Sequence, residues 1–277
     1  SSPTFTTSAD TITFGTGNVI VADGTLTVNS VGGLIDFEGS ILGTSDEVLV
    51  LNADGSGTDG ASANEKVIVA AIGTGNQIHS VSITGRDGIT LEGNITTSNK
   101  ASNNVSFTGP VSINAATVAI DTDATGNDGT VTFSSTIDSA SGTSRNLDIV
   151  SATGNVTVTG AIGATTALAS LDINQAGGDG DITLTSNIGA DASNPGVTGV
   201  TRIGNTATAD LNLNGTVYST GGATTFTAVS GGTIDLGGSS PTFTTSADTI
   251  TFGTANVKAA DGTLTVNSVG GLIDFEG

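Results

Sequence analysis

Short alternating runs of apolar and polar residues recur along the whole chain. In each run two apolar residues flank one further residue, which is polar in every run except that at Val67, and the runs begin at Ile12, Ile35, Val67, Ile89, Val105, Val131, Val156, Ile182, Leu211, Ile234, Ile250 and Ile273. Alternation with a period of two places one set of side chains inward and the next outward. Each run therefore predicts a short, half-buried β-strand.

Further strands lie between these runs, as at residues 118–120, 147–149 and 171–173, and corners containing Gly or Asn lead into them. Successive runs begin 16 to 32 residues apart, and the two spacings of 16 indicate misassigned strands. Two or three strands then close one coil. Coils of this length without a helix between them predict an all-β fold, a parallel β-solenoid.

Stacked coils bring equivalent residues together. We expect the second apolar residue of every run to form one buried column: Phe14, Phe37, Val69, Leu91, Phe107, Phe133, Val158, Leu184, Leu213, Leu236, Phe252 and Phe275. Ten runs in 238 residues predict about ten coils, which at about 4.8 Å per coil rise roughly 48 Å. A string of immunoglobulin-like sandwiches is the competing fold, but such domains usually carry a core Trp or a tyrosine corner, and this chain has no Trp and only Tyr218.

The chain also repeats itself over a long range. Residues 1–39 return as residues 239–277 with three differences: Gly17 becomes Ala255, Ile20 becomes Lys258 and Val21 becomes Ala259. We expect the Ile20/Lys258 position to face solvent. The sequence predicts that residues 1–238 are one full tandem unit of a continuous solenoid and that residues 239–277 begin the next unit.

Composition narrows the range of functions. The 277 residues include 26 acidic and 6 basic side chains, giving a net charge of −20, and no Cys. Such a surface repels phosphate backbones and anionic lipid head groups, so we expect no nucleic-acid partner. The longest apolar run, residues 67–72, is far shorter than the roughly 18 residues of a membrane-spanning helix, so we expect no membrane insertion.

Candidate chemistry is confined to the acidic residues. Asp outnumbers Glu by 21 to 5 and clusters with Gly, which makes Asp54, Asp59, Asp179 and Asp181 candidate calcium ligands, since Ca²⁺ prefers carboxylate and carbonyl oxygens. The alternative is that Asp and Asn at corners bond the backbone of their own turns. No nucleophile elbow occurs, and the lone His79 has no partner visible in the sequence, so we expect no catalytic residues and no cofactor other than calcium.

Two stretches repeat one motif closely, Gly154-Asn155-Val156-Thr157-Val158-Thr159-Gly160 and Gly180-Asp181-Ile182-Thr183-Leu184-Thr185-Ser186. With its Gly, Asn and Thr bias and its lack of Cys, the chain resembles the repetitive region of filamentous-haemagglutinin-like, autotransporter-type adhesins of Gram-negative bacteria. The resemblance implies a right-handed parallel β-helix that is secreted to the cell surface, where it serves in adhesion, aggregation or biofilm.

The predicted function is accordingly that of a structural repeat in a long extracellular or cell-surface fibre, without enzyme activity. Its expected partners are further copies of the repeat in tandem, other fibres and cell-surface glycans. The alternative is a carbohydrate-active β-helix enzyme or a tailspike-like glycan-binding protein. That alternative predicts a groove in which Asp, Arg or Lys side chains converge.

Overall fold

The chain folds into a parallel β-solenoid of about 11 turns, as seen in a computed structural model, and the part of the chain that this structure describes contains no helix. The structure describes residues 2–8, 10–44, 46–54, 64–123, 126–175, 177–246, 248–259 and 261–277. Within these ranges no helix is long and apolar enough to cross a membrane. The all-β solenoid predicted from the periodicity is confirmed, and the right-handed sense stays a prediction.

Each coil has three sides, which we call face 1, face 2 and face 3 in chain order. Face 1 is a continuous sheet of eleven strands: β1 (Thr4–Thr7), β4 (Thr25–Ser30), β7 (Val48–Ala53), β9 (Ser80–Gly85), β12 (Val105–Thr108), β15 (Val131–Phe133), β18 (Val156–Val158), β20 (Ile182–Leu184), β22 (Asp210–Leu213), β25 (Thr233–Leu236) and β28 (Asn256–Ala259).

Face 2 contains two sheets that the isolated bridges of Ile162 and Ile188 join into one side. Its strands are β2 (Ile12–Phe14), β5 (Ile35–Phe37), β8 (Lys66–Val69), β10 (Gly88–Leu91), β13 (Val111–Ile113), β16 (Ile137–Ser139), β23 (Val217–Thr220), β26 (Thr242–Thr245) and β29 (Thr265–Ser268).

Face 3 is likewise continuous, because Ile72 bridges its first two strands to the rest. Its strands are β3 (Val19–Ile20), β6 (Ile41–Leu42), β11 (Ile95–Thr96), β14 (Thr117–Asp121), β17 (Asn146–Val150), β19 (Ser170–Ile173), β21 (Thr201–Ile203), β24 (Thr224–Phe226), β27 (Ile250–Phe252) and β30 (Ile273–Phe275). Within the described ranges, and with the bridge residues counted, every face has eleven levels.

The core is the set of inward-facing apolar residues of all three faces. In β18, for example, Val156 and Val158 are buried while Thr157 between them points outward. Aromatic side chains stack where they meet in successive coils, as Phe107 does on Phe133 with ring centroids 4.7 Å apart. Because equivalent strands pair in register, each buried side chain packs on its counterparts above and below.

The predicted single column of apolar residues is wrong, since its members belong to three different faces. Phe37 and Leu91 lie on face 2, Phe107 and Leu236 on face 1, and Phe252 on face 3. The column changes face between Leu91 and Phe107 and again between Leu236 and Phe252, where the spacing is only 16 residues. The reason is that all three faces use the same alternating pattern, so the pattern alone does not distinguish one side of the coil from another.

The repeat of residues 1–39 also changes face. Strand β1 of the first copy lies on face 1, but its counterpart β26, 238 residues later, lies on face 2. Each strand occupies one position on one face of a coil, and so does each of the bridge residues Ile72, Ile162 and Ile188. From β1 to β26 the described chain advances 28 such positions. With three positions in a coil, this is nine coils and one further face. The repeat therefore has slightly fewer than the predicted ten coils, and at about 4.8 Å per coil it rises about 45 Å.

Candidate functional site

The corner that leads into face 1 explains the motif that repeats along the chain. Gly129, Gly154 and Gly180 lie at equivalent positions of successive coils, two residues before the first residue of β15, β18 and β20. A Cβ added to Gly154 would lie 2.1 Å from the carbonyl oxygen of Gly129, and one added to Gly180 would lie 2.1 Å from that of Gly154. Glycine is required because the coils approach too closely here for any side chain.

The residues after Gly154 and Gly180, Asn155 and Asp181, connect one coil to the next through their side chains. The side-chain oxygen of Asn155 accepts a hydrogen bond of 2.9 Å from the backbone N–H of Asp181. The Asp181 carboxylate in turn accepts one of 3.2 Å from Asp210, whose own carboxylate accepts one of 3.0 Å from Thr233. We call this series, Asn155–Asp181–Asp210–Thr233, the Asx ladder. It runs parallel to the solenoid axis at the edge of face 1.

Other corners use the same device. Asn94 accepts from the N–H of Ala119 at 2.9 Å, and Asp138 accepts from the N–H of Thr165 at 2.8 Å, each in the coil that follows. Bonds within a single turn also occur, such as that from the Asp123 N–H to the Asp121 carboxylate. Corner Asp and Asn residues thus serve both their own turns, as the sequence predicted, and the turn of the next coil, which it did not predict.

The three calcium candidates that the structure describes, Asp54, Asp179 and Asp181, do not form a metal-binding group. Asp54 is exposed at the end of β7, Asp179 is exposed, and Asp181 is part of the Asx ladder. Asp59 lies outside the described residues. Across the described ranges no three His, Asp or Glu side chains are grouped as a metal would require. Calcium binding by these residues stays a prediction.

Two buried glutamates have roles that the sequence did not predict. The side chain of Glu47 accepts hydrogen bonds from the backbone N–H groups of Thr44 (2.6 Å), Asp46 (3.1 Å) and Asp23 (3.3 Å), and from the Thr44 hydroxyl. Burial by itself would raise the pKa of Glu47, but these donors outweigh it and lower the pKa from 4.5 to about 2. The spacing Thr44-x-x-Glu47 is the signal that could have indicated this bond pattern.

Glu65 is the second buried glutamate, and Arg86 of the next coil binds it at 2.9 Å. Three more of the six basic residues form ion pairs with acidic residues: Lys100 with Asp46, Arg202 with Asp172 and Lys258 with Asp235. Exposed pairs of this kind contribute little to stability. Most of the scarce positive charge is thus next to a carboxylate.

Face 3 carries a stack of charged side chains, the residue types that an enzyme groove would require. Asp148, Asp172 and Arg202 occupy successive coils at one outward position, with Arg202 3.3 Å from Asp172. Burial, and then the neighbouring carboxylates of Asp172 and Asp121, raises the pKa of Asp148. The stack lies on the outward side of the sheet rather than in a groove.

Face 1 carries a surface without charges, which we call the hydroxyl face. It consists of outward-facing Ser and Thr residues in two columns along β9, β12, β15, β18 and β20 and the residues that directly follow the last three strands: Ser82, Ser106, Thr132, Thr157 and Thr183 in one column, and Thr84, Thr108, Ser134, Thr159 and Thr185 in the other. The five levels extend about 19 Å along the axis at 4.8 Å per coil spacing. In a chain with a net charge of −20, this is a neutral area of sheet.

Comparison with known proteins adds no relative. The chain matches no protein-family model, no curated protein sequence and no solved structure. The solenoid is compatible with a β-helix repeat protein, and the resemblance to filamentous-haemagglutinin-like adhesins rests on the sequence motifs.

Proposed function

We propose that this chain is a structural repeat of a long extracellular or cell-surface fibre or adhesin, which gives reach, rigidity and attachment. One observation carries the proposal: residues 239–277, the near copy of residues 1–39, continue the same stack without a break. In its second position the copied sequence packs on the coil before it through β23–β26 and β24–β27 pairing. A sequence that repeats and stacks on its own unit can build an array of any length.

Rigidity follows from the way in which the coils are joined. Each coil pairs with the next along three faces, and the Asx ladder adds side-chain bonds in the same direction. The apolar core runs through all coils as one cluster. Bending the rod would have to break hydrogen bonds on one face while compressing packed side chains on another, so a repeat of this kind suits a scaffold that holds a binding surface away from the cell.

The surface charge suits a fibre that stays separate from its neighbours. A net charge of −20 opposes close lateral contact between rods, and divalent cations that bridge carboxylates would reduce this repulsion. The hydroxyl face is the area where a neutral partner such as a cell-surface glycan can approach without meeting charge. Location outside the cell is part of the proposal, and the resemblance to secreted adhesins is what supports it.

An array of units tests the scaffold. We would compare three arrays that contain one, two or three consecutive copies of residues 1–238, with residues 239–277 added once after the last copy. In electron cryo-microscopy these arrays should give rods that lengthen by about 45 Å per added unit, with layers about 4.8 Å apart. Separate beads, or rods whose length does not increase in proportion to the number of units, would contradict the proposal.

A glycan-binding measurement tests the attachment surface. Thr157→Arg introduces a charge at the centre of the hydroxyl face without changing the core, because Thr157 points outward between buried Val156 and Val158. Thr225→Arg makes the same change at an outward position of face 3 and is the control. We expect Thr157→Arg alone to weaken binding to neutral cell-surface glycans. Equal binding by both variants would exclude the hydroxyl face as the attachment surface.

A further inference from the structure

The two copies of the repeated sequence occupy different sides of the solenoid. In the first copy β1 to β5 lie on faces 1, 2, 3, 1 and 2, whereas in the second copy β26 to β30 lie on faces 2, 3, 1, 2 and 3. All five strand pairs change by one face in the same sense. We propose that each 238-residue unit of the array is rotated by one face, about a third of a turn, against the unit before it. This inference rests on the proposed fibre.

The rotation follows from the length of the unit in strands. In the residues that the structure describes, one unit comprises 28 strand positions, and 28 is not a multiple of the three positions in a coil. Three units comprise 84 positions, which is 28 whole coils. The surface of the fibre therefore returns to its starting orientation only after three units, or about 134 Å at about 4.8 Å per coil.

The chain itself shows one such junction, in which the second copy packs on the coil before it. Phe37 is fully buried beneath the next coil, while its copy Phe275 is 47% exposed at the end of the stack. In the opposite direction, Phe243 is 1% exposed above the coil before it, while its original Phe5 is 46% exposed. The start of the copied sequence therefore packs on the end of the first unit in its rotated position.

The three differences between the copies lie together at residues 255–259, in the coil that packs on the end of the first unit. Lys258 is opposite Asp235 in the last coil of the first unit, and the Lys258 ammonium lies 3.2 Å from the Asp235 carboxylate. Ile20, its counterpart in the first copy, is 65% exposed on face 3, so the expectation that this position faces solvent is confirmed. The change of face has thus placed a basic residue beside an acidic residue of the preceding unit.

The rotation determines how the fibre presents its surfaces. A face that is unique within one unit, such as the hydroxyl face, points in three directions in three successive units. A single fibre would therefore offer the same attachment surface on all sides, at axial intervals of about 45 Å. With units in phase, all copies would form a stripe along one side, and contact with a flat surface would require the fibre to be oriented.

Site-specific labelling of an array tests the rotation. Thr183→Cys introduces one outward-facing thiol per unit on face 1, in a chain that has no other cysteine. Biotin on this thiol, decorated with streptavidin on a six-unit array, locates every unit in electron cryo-microscopy. We expect labels on three sides in turn, about 45 Å apart along the rod.

Lengthening the unit provides a matched control. Duplicating residues 131–155, which make one full coil from Val131 to its paired neighbour Val156, should lengthen each unit by one layer and leave the labels on three sides. Labels aligned along one side of an intact rod would overturn the rotation while leaving the fibre in place. Beads instead of a rod would overturn the fibre and the rotation together.

Discussion

Glu47 offers the sharpest test of how a side chain stabilises this solenoid. In Glu47→Gln the side chain keeps its size, but an amide presents one acceptor oxygen where the carboxylate presents two. Oε2 accepts from the backbone N–H groups of Thr44 and Asp46, and Oε1 accepts from that of Asp23 and from the Thr44 hydroxyl. Whichever way the amide is turned, its NH₂ group faces at least one backbone donor, which is then left without its bond.

The pKa of Glu47 gives the magnitude. Its fall from 4.5 to about 2 corresponds to about 3 kcal/mol of folding free energy at neutral pH. Because the folded-state pKa is the lower one, this contribution is complete above pH 4.5 and is lost as the pH falls through about 2. Glu47→Gln should therefore lower the free energy of unfolding by about 2–3 kcal/mol at pH 7 and remove this part of the acid dependence.

Urea unfolding followed by circular dichroism between pH 7 and pH 2 measures both effects, with the slope against urea as the check that the unfolding reaction is the same. Hydrogen exchange gives the local measurement, since the amides of Thr44 and Asp23 should lose protection. Glu38→Gln is the control because Glu38 is exposed. Equal midpoints for Glu47→Gln and the unchanged chain at pH 7, with the same loss of stability in acid, would refute the argument.

Three further substitutions test the corners and the charges by thermal and urea unfolding. Gly154→Ala should cost about 1–3 kcal/mol because its Cβ would meet a backbone oxygen at 2.1 Å, whereas Gly17→Ala, where nothing lies within 4 Å, should be neutral or slightly stabilising. Asn155→Ala should lower the free energy of unfolding by about 1 kcal/mol, because the Asx-ladder bond to the Asp181 N–H is lost. Asn155→Asp keeps the acceptor oxygen and should lower the free energy of unfolding less. Equal losses of stability in the two variants would argue against the ladder. Asp148→Asn should raise the melting temperature at pH 7 but not at pH 3. The pKa of Asp148 is raised in the folded protein, so its charged form opposes folding once the pH is above 3.8. A lower melting temperature of the variant at pH 7 would contradict this.

The sequence by itself determined the class of fold and the inward or outward direction of most strand residues. Alternation as regular as that of Val156-Thr157-Val158 requires a half-buried strand, and the absence of any helical period leaves coils of strands as the solution. The long repeat was visible without a structure, because identity over 36 of 39 positions needs no geometry to be recognised. These features are local, and local patterns can be identified from the chain alone.

Which strands become neighbours was decided only by the tertiary structure. Pairing in a coil depends on the sum of strand and corner lengths around a whole turn, so Leu91 and Phe107 appear equivalent in sequence yet lie on different faces. The binding of Glu47 to donors in two coils and the change of face between the copies have the same origin. A side chain's partners are one coil away, and the corners determine which residues those are.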